Sequence, residues 1–453
     1  MLKIHITTLG CPKNTADSGH LAKAFAAQGF VSSDSEGDAD ILLVNTCGFI
    51  NDAKKESVEE VLRLASVKGG KKKLLVFGCL AKRYRDDLLK EIPEIDAIWG
   101  VGEEAQIIEY CKKNMAGGKG QKAIRESRIS IAHSLSPVAS PTASSYAYLK
   151  IAEGCNKKCT FCVIPSIRGK FRSIRPELIM AEATGYIQAG VRELILVAQD
   201  ITSYGRDLDG YDLVALLHDL ESLPGDFYIR LLYLYPTAIS EALIECIAGG
   251  DKIQKYLDIP LQHSEDRILR LMGRRGTRSE YRKLIRKLRY EIPGVALRTT
   301  FIVGFPSETE EDFNGLVDFV EEMRFDRLGA FMFSKEEGTP SAALKGQVPG
   351  KVKAGRFEEI MKRQALISLE KNRELVGRRF RAIVDEAAED VILARLYSHA
   401  PEIDGMVIIE KEKNDTERRR KKDTVNTGDV VTVEITDAYD YDVKGKLMTG
   451  GRR

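Results

Sequence analysis

The sequence predicts an α/β protein in three parts: an N-terminal parallel α/β domain, a partial (β/α)6 barrel and a small C-terminal antiparallel β-barrel. Three observations predict it. Apolar strands alternate with helical periods up to about residue 115, and the same rhythm restarts near residue 146 and runs to about residue 376. Between the two runs the composition turns to Gly, Ser, Pro and Lys, which marks a linker. After residue 377 the period shortens to that of alternating strands separated by turn residues. The divisions are therefore 1–115, a linker at 116–145, 146–376 and 377–449.

In the first part, strands at Ile4–Leu9, Ile41–Asn45 and Leu74–Phe77 are each followed by a helical pattern, the first two at Asp17–Gln28 and Asp52–Ser66. Right-handed crossovers put the C-terminal ends of such strands on one edge, where open α/β sheets bind ligands. Cys11, Cys47 and Cys79 each stand within two residues of a strand end, 36 and 32 residues apart. The fold itself would gather these thiols into a cluster site. The alternative, three unrelated core cysteines, has to explain why all three fall at the same place in successive units. Cys111 and Cys246 share no such pattern and are read as core thiols.

In the second part, strands are expected near 146–151, 193–198, 228–233, 256–260, 296–303 and 327–333, each followed by a helix, with chemistry at the C-terminal mouth. The loop after the first strand carries Gly154-Cys155-Asn156-Lys157-Lys158-Cys159-Thr160-Phe161-Cys162. Three thiolates can hold three corners of a 4Fe-4S cube and leave one iron open to a substrate. Structural zinc wants four closed ligands, so zinc or plain buried thiols are the weaker alternatives. Two more loops reach this mouth. Gly304-Phe305-Pro306-Ser307-Glu308-Thr309 combines a residue that permits close backbone approach with ordinary helix-capping residues. Gln199 and Asp200 are polar groups at another strand end, and His263 at a third either faces substrate or is a satisfied barrel histidine.

In the third part, a helix at Val352–Leu375 leads to short strands at about 379–385, 391–397, 406–410, 430–436 and 443–448. Small barrels of this kind bind polymers or cap a catalytic domain, and fold alone does not choose. From Gly377 to Arg453 there are fifteen Lys and Arg against sixteen Asp and Glu. RNA affinity rests on cations, so the domain is not generally an RNA-binding surface, although Arg418-Arg419-Arg420-Lys421-Lys422 could touch RNA from a hairpin tip. The acidic run Asp437–Asp442, with Asp440 and Asp442, suits a cationic protein loop.

Bulk properties set outer limits. A chain of 453 residues accommodates roughly three domains, and a formal net charge of +2 restricts any nucleic-acid contact to a local patch. Eight cysteines are too sparse for a disulfide scaffold. No apolar run approaches the ~20 residues of a membrane helix, and the start lacks a signal-peptide pattern. A cytoplasmic protein with no membrane partner is expected.

The CxxxCxxC spacing after an apolar strand resembles the radical S-adenosylmethionine (SAM) enzymes. That resemblance implies that the open iron chelates SAM, that Gly304, Phe305, Pro306 and Ser307 form the SAM-contacting loop, and that Gln199 and Asp200 meet the SAM amino end. Ser307 departs from the family, which more often has glycine there, and a local backbone adjustment is expected. Over nearly its whole length the chain is similar to the methylthiotransferases, which join an N-terminal three-cysteine domain, a radical SAM barrel and a TRAM barrel. Within them it resembles the branch that modifies the β-carbon of an aspartate in small-subunit ribosomal protein twelve. The residues that carry this are Leu9-Gly10-Cys11-Pro12-Lys13-Asn14, Tyr148-Leu149-Lys150-Ile151, Tyr235-Pro236, Pro260-Leu261-Gln262-His263 and His399-Ala400-Pro401-Glu402-Ile403-Asp404-Gly405. The tRNA branch usually reads Gly-Cys-Gln-Met-Asn where this chain has Gly10-Cys11-Pro12-Lys13-Asn14.

The resemblance implies two 4Fe-4S clusters, held by Cys155, Cys159 and Cys162 and by Cys11, Cys47 and Cys79, together with SAM and a reductant such as flavodoxin. It implies that SAM cleavage at the first cluster yields a radical that removes hydrogen from an unactivated carbon, while the second cluster presents sulfur and another SAM supplies methyl. His263, Asp440 and Asp442 are the candidate substrate contacts. A tRNA adenosine methylthiotransferase and a non-catalytic iron-sulfur RNA-binding protein are the competing readings. An electron carrier would close its clusters with four cysteines.

Overall fold

The computed structural model describes residues 1–115, 144–411 and 425–448; most of the expected linker and the Arg418–Lys422 run lie outside them. The N-terminal domain comprises β1 (Lys3–Thr8), α1 (Pro12–Ala26), β2 (Val31–Ser32), β3 (Ile41–Thr46), α2 (Asn51–Val67), β4 (Lys73–Gly78), α3 (Cys79–Arg83), α4 (Arg85–Glu91), β5 (Ala97–Gly100) and α5 (Glu104–Met115). The parallel sheet has the order β2-β1-β3-β4-β5, so the strands preceding Cys11, Cys47 and Cys79 are neighbours. Every residue of β3 is buried, because core clusters cover both faces of the sheet. Helix α1 begins at Pro12 and not at Asp17. Cys11 is its N-cap, and proline's fixed φ suits the first helical position.

The central domain follows as β6 (Tyr146–Lys150), β7 (Ala152–Glu153), α6 (Ile164–Arg168), β8 (Arg172–Ser173), α7 (Pro176–Gln188), β9 (Glu193–Val197), α8 (Leu213–Ser222), β10 (Tyr228–Leu231), α9 (Glu241–Gly249), β11 (Ile253–Asp258), α10 (Asp266–Leu271), α11 (Arg278–Glu291), β12 (Ala296–Val303), α12 (Glu310–Met323), β13 (Arg327–Met332) and α13 (Gly350–Arg373). Its six parallel strands run in the order β13-β12-β11-β10-β9-β6, a partial barrel with β6 and β13 as edges. Alternation divides the side chains. Leu149, Leu194, Leu196, Ile229 and Leu257 face the helices, and Tyr148, Ile195, Val197, Leu232 and Tyr256 line the interior.

In the C-terminal domain, β14 (Arg379–Ala387), β15 (Val391–Arg395), β16 (Val407–Glu410), β17 (Val430–Ala438) and β18 (Val443–Leu447) close a barrel in the order β14-β15-β16-β18-β17. The expected antiparallel pattern holds except between β16 and β18, which run parallel. A closed ring with an odd number of strands must contain such a pair. The segment His399–Gly405 enters the central barrel from the end opposite its mouth. There Tyr146 and Tyr148 donate to Glu402 at 2.7 and 3.0 Å, and Tyr256 donates to Asp404 at 2.6 Å. Ala400 packs with Tyr148, Ile195 and Val197. Beneath this plug the fully buried Glu193 pairs with Arg230 at 2.7 Å and Arg395 at 2.6 Å, joining β9 to the C-terminal barrel. The small barrel therefore caps the central one.

Candidate active site at the domain junction

The N-terminal thiols come from three adjacent strand ends. The register pairs Thr46 with Gly78, so Cys47 and Cys79 follow side by side, and Thr8 pairs with Asn45 two positions earlier. Gly10, at φ +97°, lets the Cys11 loop close over Cys47; a Cβ there would lie 2.7 Å from the Cys47 Cβ and 2.9 Å from its Sγ. Asn14 donates to the Leu9 carbonyl at 2.8 Å, and Ser57 donates to the Cys47 carbonyl at 3.0 Å, so the loops are pinned from both sides. Burial pushes the Cys47 thiol up to about 12, with Cys11 and Cys79 adding to it. Burial also raises Cys79, against the opposing pull of Arg168.

The second triad sits on the loop after β6 and β7. Gly154, at φ +78°, brings this loop against Lys170, whose carbonyl oxygen any Cβ would strike. The Cys155 N–H donates to the Gly169 carbonyl at 3.1 Å, and Thr160 is bonded to the Met272 and Leu271 carbonyls. Burial pushes the Cys162 thiol up to about 12, with Cys159 and Cys155 adding to it, and it also raises Cys155. Arg274 lies against Cys159.

The triads face one another. Cys79 packs against Val163 and Ile167, which follow Cys162 directly. Arg168, on α6, donates to Asn14 at 2.7 Å, approaches the Cys79 Sγ at 3.5 Å, and pairs with Asp17 and Glu153, both at 3.0 Å. Lys150 completes the lock by pairing with Asp17 at 2.5 Å and with Glu153. Burial alone would push the Asp17 carboxyl up, but Lys150 and Arg168 overcome it and hold it below the usual carboxylate range. Glu336, past β13, binds Lys54 at 2.8 Å and Arg83 at 2.9 Å from the other side of the junction. All eight cysteines are free thiols, and Cys111 and Cys246 are buried in cores away from both triads.

The donor set fits two iron-sulfur clusters: three soft thiols in each group, gathered by the fold, with no fourth cysteine joining either. Among the described residues no three His, Cys, Asp or Glu side chains could hold a single metal ion. A 4Fe-4S cube instead gives each thiolate an iron of its own. Gln199 also fits a ligand at the barrel mouth. Its Nε2 donates to Glu153 at 3.2 Å while its buried Oε1 has no hydrogen-bond partner. Asp200 is different, because Thr202, Ser203 at 2.7 Å and Lys157 at 3.2 Å already occupy its carboxylate.

The Gly304 loop is shaped from behind. Glu308 accepts from the Gly304 and Phe305 N–H groups at 3.0 and 3.1 Å and pairs with Arg356 at 2.8 Å. Burial opposes its charge, but His263 and the two N–H groups hold Glu308 below the usual range. Phe305 meets Phe161 of the cysteine loop edge to face, with ring centroids 6.5 Å apart, and Pro306 is buried beside it. Thr309 alone caps α12, in a capping box with Asp312. Ser307 has a left-handed φ of +67°, is exposed, and engages the Gly346 and Lys345 carbonyls away from the cysteines.

The expected substrate contacts are placed elsewhere. His263 is fully buried, its Nδ1 accepts from the Glu265 N–H at 3.0 Å, and its Nε2 faces Glu308 at 3.5 Å. It braces the Gly304 loop from behind Glu308, and its Nε2 has no hydrogen-bond partner among the described residues. Asp442 accepts from the Met406 N–H at 2.9 Å and serves the turn between β17 and β18. That turn is tied to α13 by Asn372 and lies by Arg327, the first residue of β13. Asp440 is exposed there, at the barrel end opposite the cysteines.

Comparison with known proteins agrees with this architecture. Residues 3–100 match Uncharacterized protein family UPF0004, residues 149–320 the Radical SAM superfamily, and residues 376–448 the TRAM domain. The chain is 53% identical over 448 residues to ribosomal protein uS12 methylthiotransferase RimO of Thermodesulfovibrio yellowstonii, covering 99% of this chain and 100% of that one. The chain belongs to the uS12 methylthiotransferase family. The RimO of Geobacter sulfurreducens is 43% identical, with 99% of each chain covered. Among solved structures, the radical SAM methyltransferase TsrM from Kitasatospora setae has a TM-score of 0.52 at 13% identity, covering 87% of this chain and 78% of that one, and shares the fold.

In this methylthiotransferase several site residues escaped the sequence reading. Lys150 could have been found, as the third inward position of β6 after Tyr146 and Tyr148. Arg168 carries no sequence signal, since its role comes from contact with Asp17 and Asn14 of the N-terminal domain, and Glu153 joins that network through Arg168 and Lys150. Tyr233 and Gln262, past the ends of β10 and β11, adopt left-handed backbone at φ +66° and +73°. Such strain in non-glycine residues gathers at functional sites, and no residue type announces it.

Proposed function

We propose that this chain is a radical SAM methylthiotransferase that adds a methylthio group to the β-carbon of an aspartate in ribosomal protein uS12, working in the cytoplasm with a reductant such as flavodoxin. The observation that carries the reading is the convergence of two three-thiol groups on one junction, with Cys79 packed against the residues that follow Cys162. Two 4Fe-4S clusters and SAM would supply one-electron cleavage and a sulfur donor, chemistry beyond the reach of side-chain acids and bases at an unactivated carbon.

Cys155, Cys159 and Cys162 would hold one cluster, and Cys11, Cys47 and Cys79 the other. Burial raises the Cys47, Cys79, Cys155 and Cys162 thiols, so loading must release their protons. The orphaned Gln199 Oε1 is an acceptor for the SAM amino group, and Glu308, braced by Arg356 and His263, holds the Gly304 loop to its shape. Arg168, Asp17, Lys150 and Glu153 lock the domains so that both triads keep their relation through the reaction, and preorganisation of this kind lowers the barrier for meeting of the reacting atoms. Asp440, far from the cysteines, would act on encounter with a basic protein.

A direct competition tests the reading. The reconstituted enzyme is offered uS12 and unmodified tRNA together, under anaerobic conditions with SAM and reductant, and methylthio mass is scored on each. Modification of the uS12 aspartate is expected. Modification of the tRNA with none on the protein would overturn the proposal in favour of the tRNA branch.

A further inference from the structure

Lys13 is a largely buried side chain whose ammonium meets no anion among the described residues. It is 9% exposed, and among the described residues its ammonium makes no ion pair or hydrogen bond; it rests on the Tyr233 ring, 3.6 Å from the centroid. Buried cations are almost always paired. Four other cations near the junction do obey that rule: Lys150 and Arg168 hold Asp17, Lys157 holds Asp200 at 3.2 Å, and Arg298 holds Asp258 at 2.9 Å. A ring face attracts an ammonium through its quadrupole but leaves the net charge in place.

The position is informative too. Lys13 follows Cys11 by two residues, and the Tyr233 ring beneath it is near enough to Cys11 to feel that charge. Its neighbour Asn14 accepts from Arg168, six residues after Cys162, at 2.7 Å, which sets Lys13 beside the loop group as well. Tyr233 is fixed in its strained conformation, with its N–H donating to Asp258 at 3.1 Å. The unpaired charge therefore stands between the two triads, where a carbon that must meet both would have to lie.

We propose that Lys13, backed by the Tyr233 ring, anchors the carboxylate of the substrate aspartate and so holds the adjoining β-carbon between the triads. The proposal rests on the reading above that the substrate is an aspartyl side chain. The β-carbon is bonded to the carboxyl carbon, so fixing the carboxylate fixes the carbon that reacts. The carboxylate in turn gives Lys13 the anion that the protein withholds.

The test compares two labelled peptides spanning the target loop of uS12, one with the aspartate and one with asparagine in its place. Their affinities for the reconstituted full-length enzyme are measured anaerobically by fluorescence anisotropy, in wild type, Lys13→Met and Lys13→Arg. Wild type should prefer the aspartate peptide by about 10- to 100-fold, the worth of a hydrogen bond to a charged group. Lys13→Met should remove the preference, and Lys13→Arg should keep most of it. The ratio is taken within one preparation, so a partly destabilised variant still reports on charge, and iron content checks loading. Wild type without the preference, or Lys13→Met retaining it, would overturn the assignment of Lys13. If wild type modifies no aspartate in uS12, the function reading falls and this inference with it; if it does and Lys13→Met still discriminates, only the inference falls.

Discussion

The two cysteine groups reach one junction by opposite routes. The barrel group is local: a single loop, bent by Gly154 and tied to Gly169, Leu271 and Met272, carries all three thiols. The N-terminal group is assembled by a whole sheet, from the ends of β1, β3 and β4, and depends on register and on crossover handedness. A loop can fail alone, whereas the sheet-borne group fails only if the domain or its junction does. The lock of Arg168, Asp17, Lys150 and Glu153 is where the two depend on each other.

The largest effect should follow loss of the loop group. Replacing Cys155, Cys159 and Cys162 together with alanine should remove about half of the about eight irons of the reconstituted enzyme and abolish 5′-deoxyadenosine formation. Iron analysis and chromatography read both, and surviving SAM cleavage would break the comparison at its base.

Breaking the lock should come next. Arg168→Met leaves Asp17 and Glu153 with Lys150 as their one shared cation, and removing a partner from such a buried group costs up to about 3–5 kcal/mol. Denaturant unfolding should show it, with iron lost first from the N-terminal group that Arg168 touches at Cys79. A loss confined to the loop group would reverse the assigned dependence.

A smaller, pH-dependent effect is expected at the far joint. Burial would raise the Glu193 carboxyl, but Arg230 and Arg395 hold it below its ordinary value of 4.5. A lowered pKa gives stability that is complete above that ordinary value and is lost as pH falls below it. Glu193→Gln should therefore weaken the cap at neutral pH by about 1.5–3 kcal/mol and flatten the acid dependence, leaving both iron sites loaded. Unfolding curves between neutral and acid pH would show whether the variant keeps the wild-type slope.

The smallest effect belongs to Ser307. Its left-handed φ of +67° costs a non-glycine residue about 1 kcal/mol, so Ser307→Gly should raise the unfolding free energy by up to that amount. Destabilisation would show that the hydroxyl's bond to the Lys345 carbonyl outweighs the strain.

The legibility of this molecule followed the range of the interactions. Strand and helix periods placed the barrel strands closely, because alternation between the helix-facing leucines and the inward tyrosines is written in local order. The thiols were legible because spacing within a loop, and position at successive strand ends, are both features of the chain. The parallel pairing of β16 with β18 was not, since it follows from closing an odd ring. The choice between the two readings of His263, and the turn-holding part of Asp442, were hidden for a similar reason: a polar residue at a strand end or in an acidic run looks available until a partner such as Glu308 or the Met406 N–H is brought to it. Arg168 and Lys13 became visible only when two domains met.

The division of labour between the groups is tested most directly by replacing Cys11, Cys47 and Cys79 with alanine and measuring two products from the same anaerobic reaction with uS12. 5′-Deoxyadenosine should still form, because its production needs only the loop group, while methylthio mass on the uS12 aspartate should disappear. Methylthio product at the wild-type level in that variant would contradict the account.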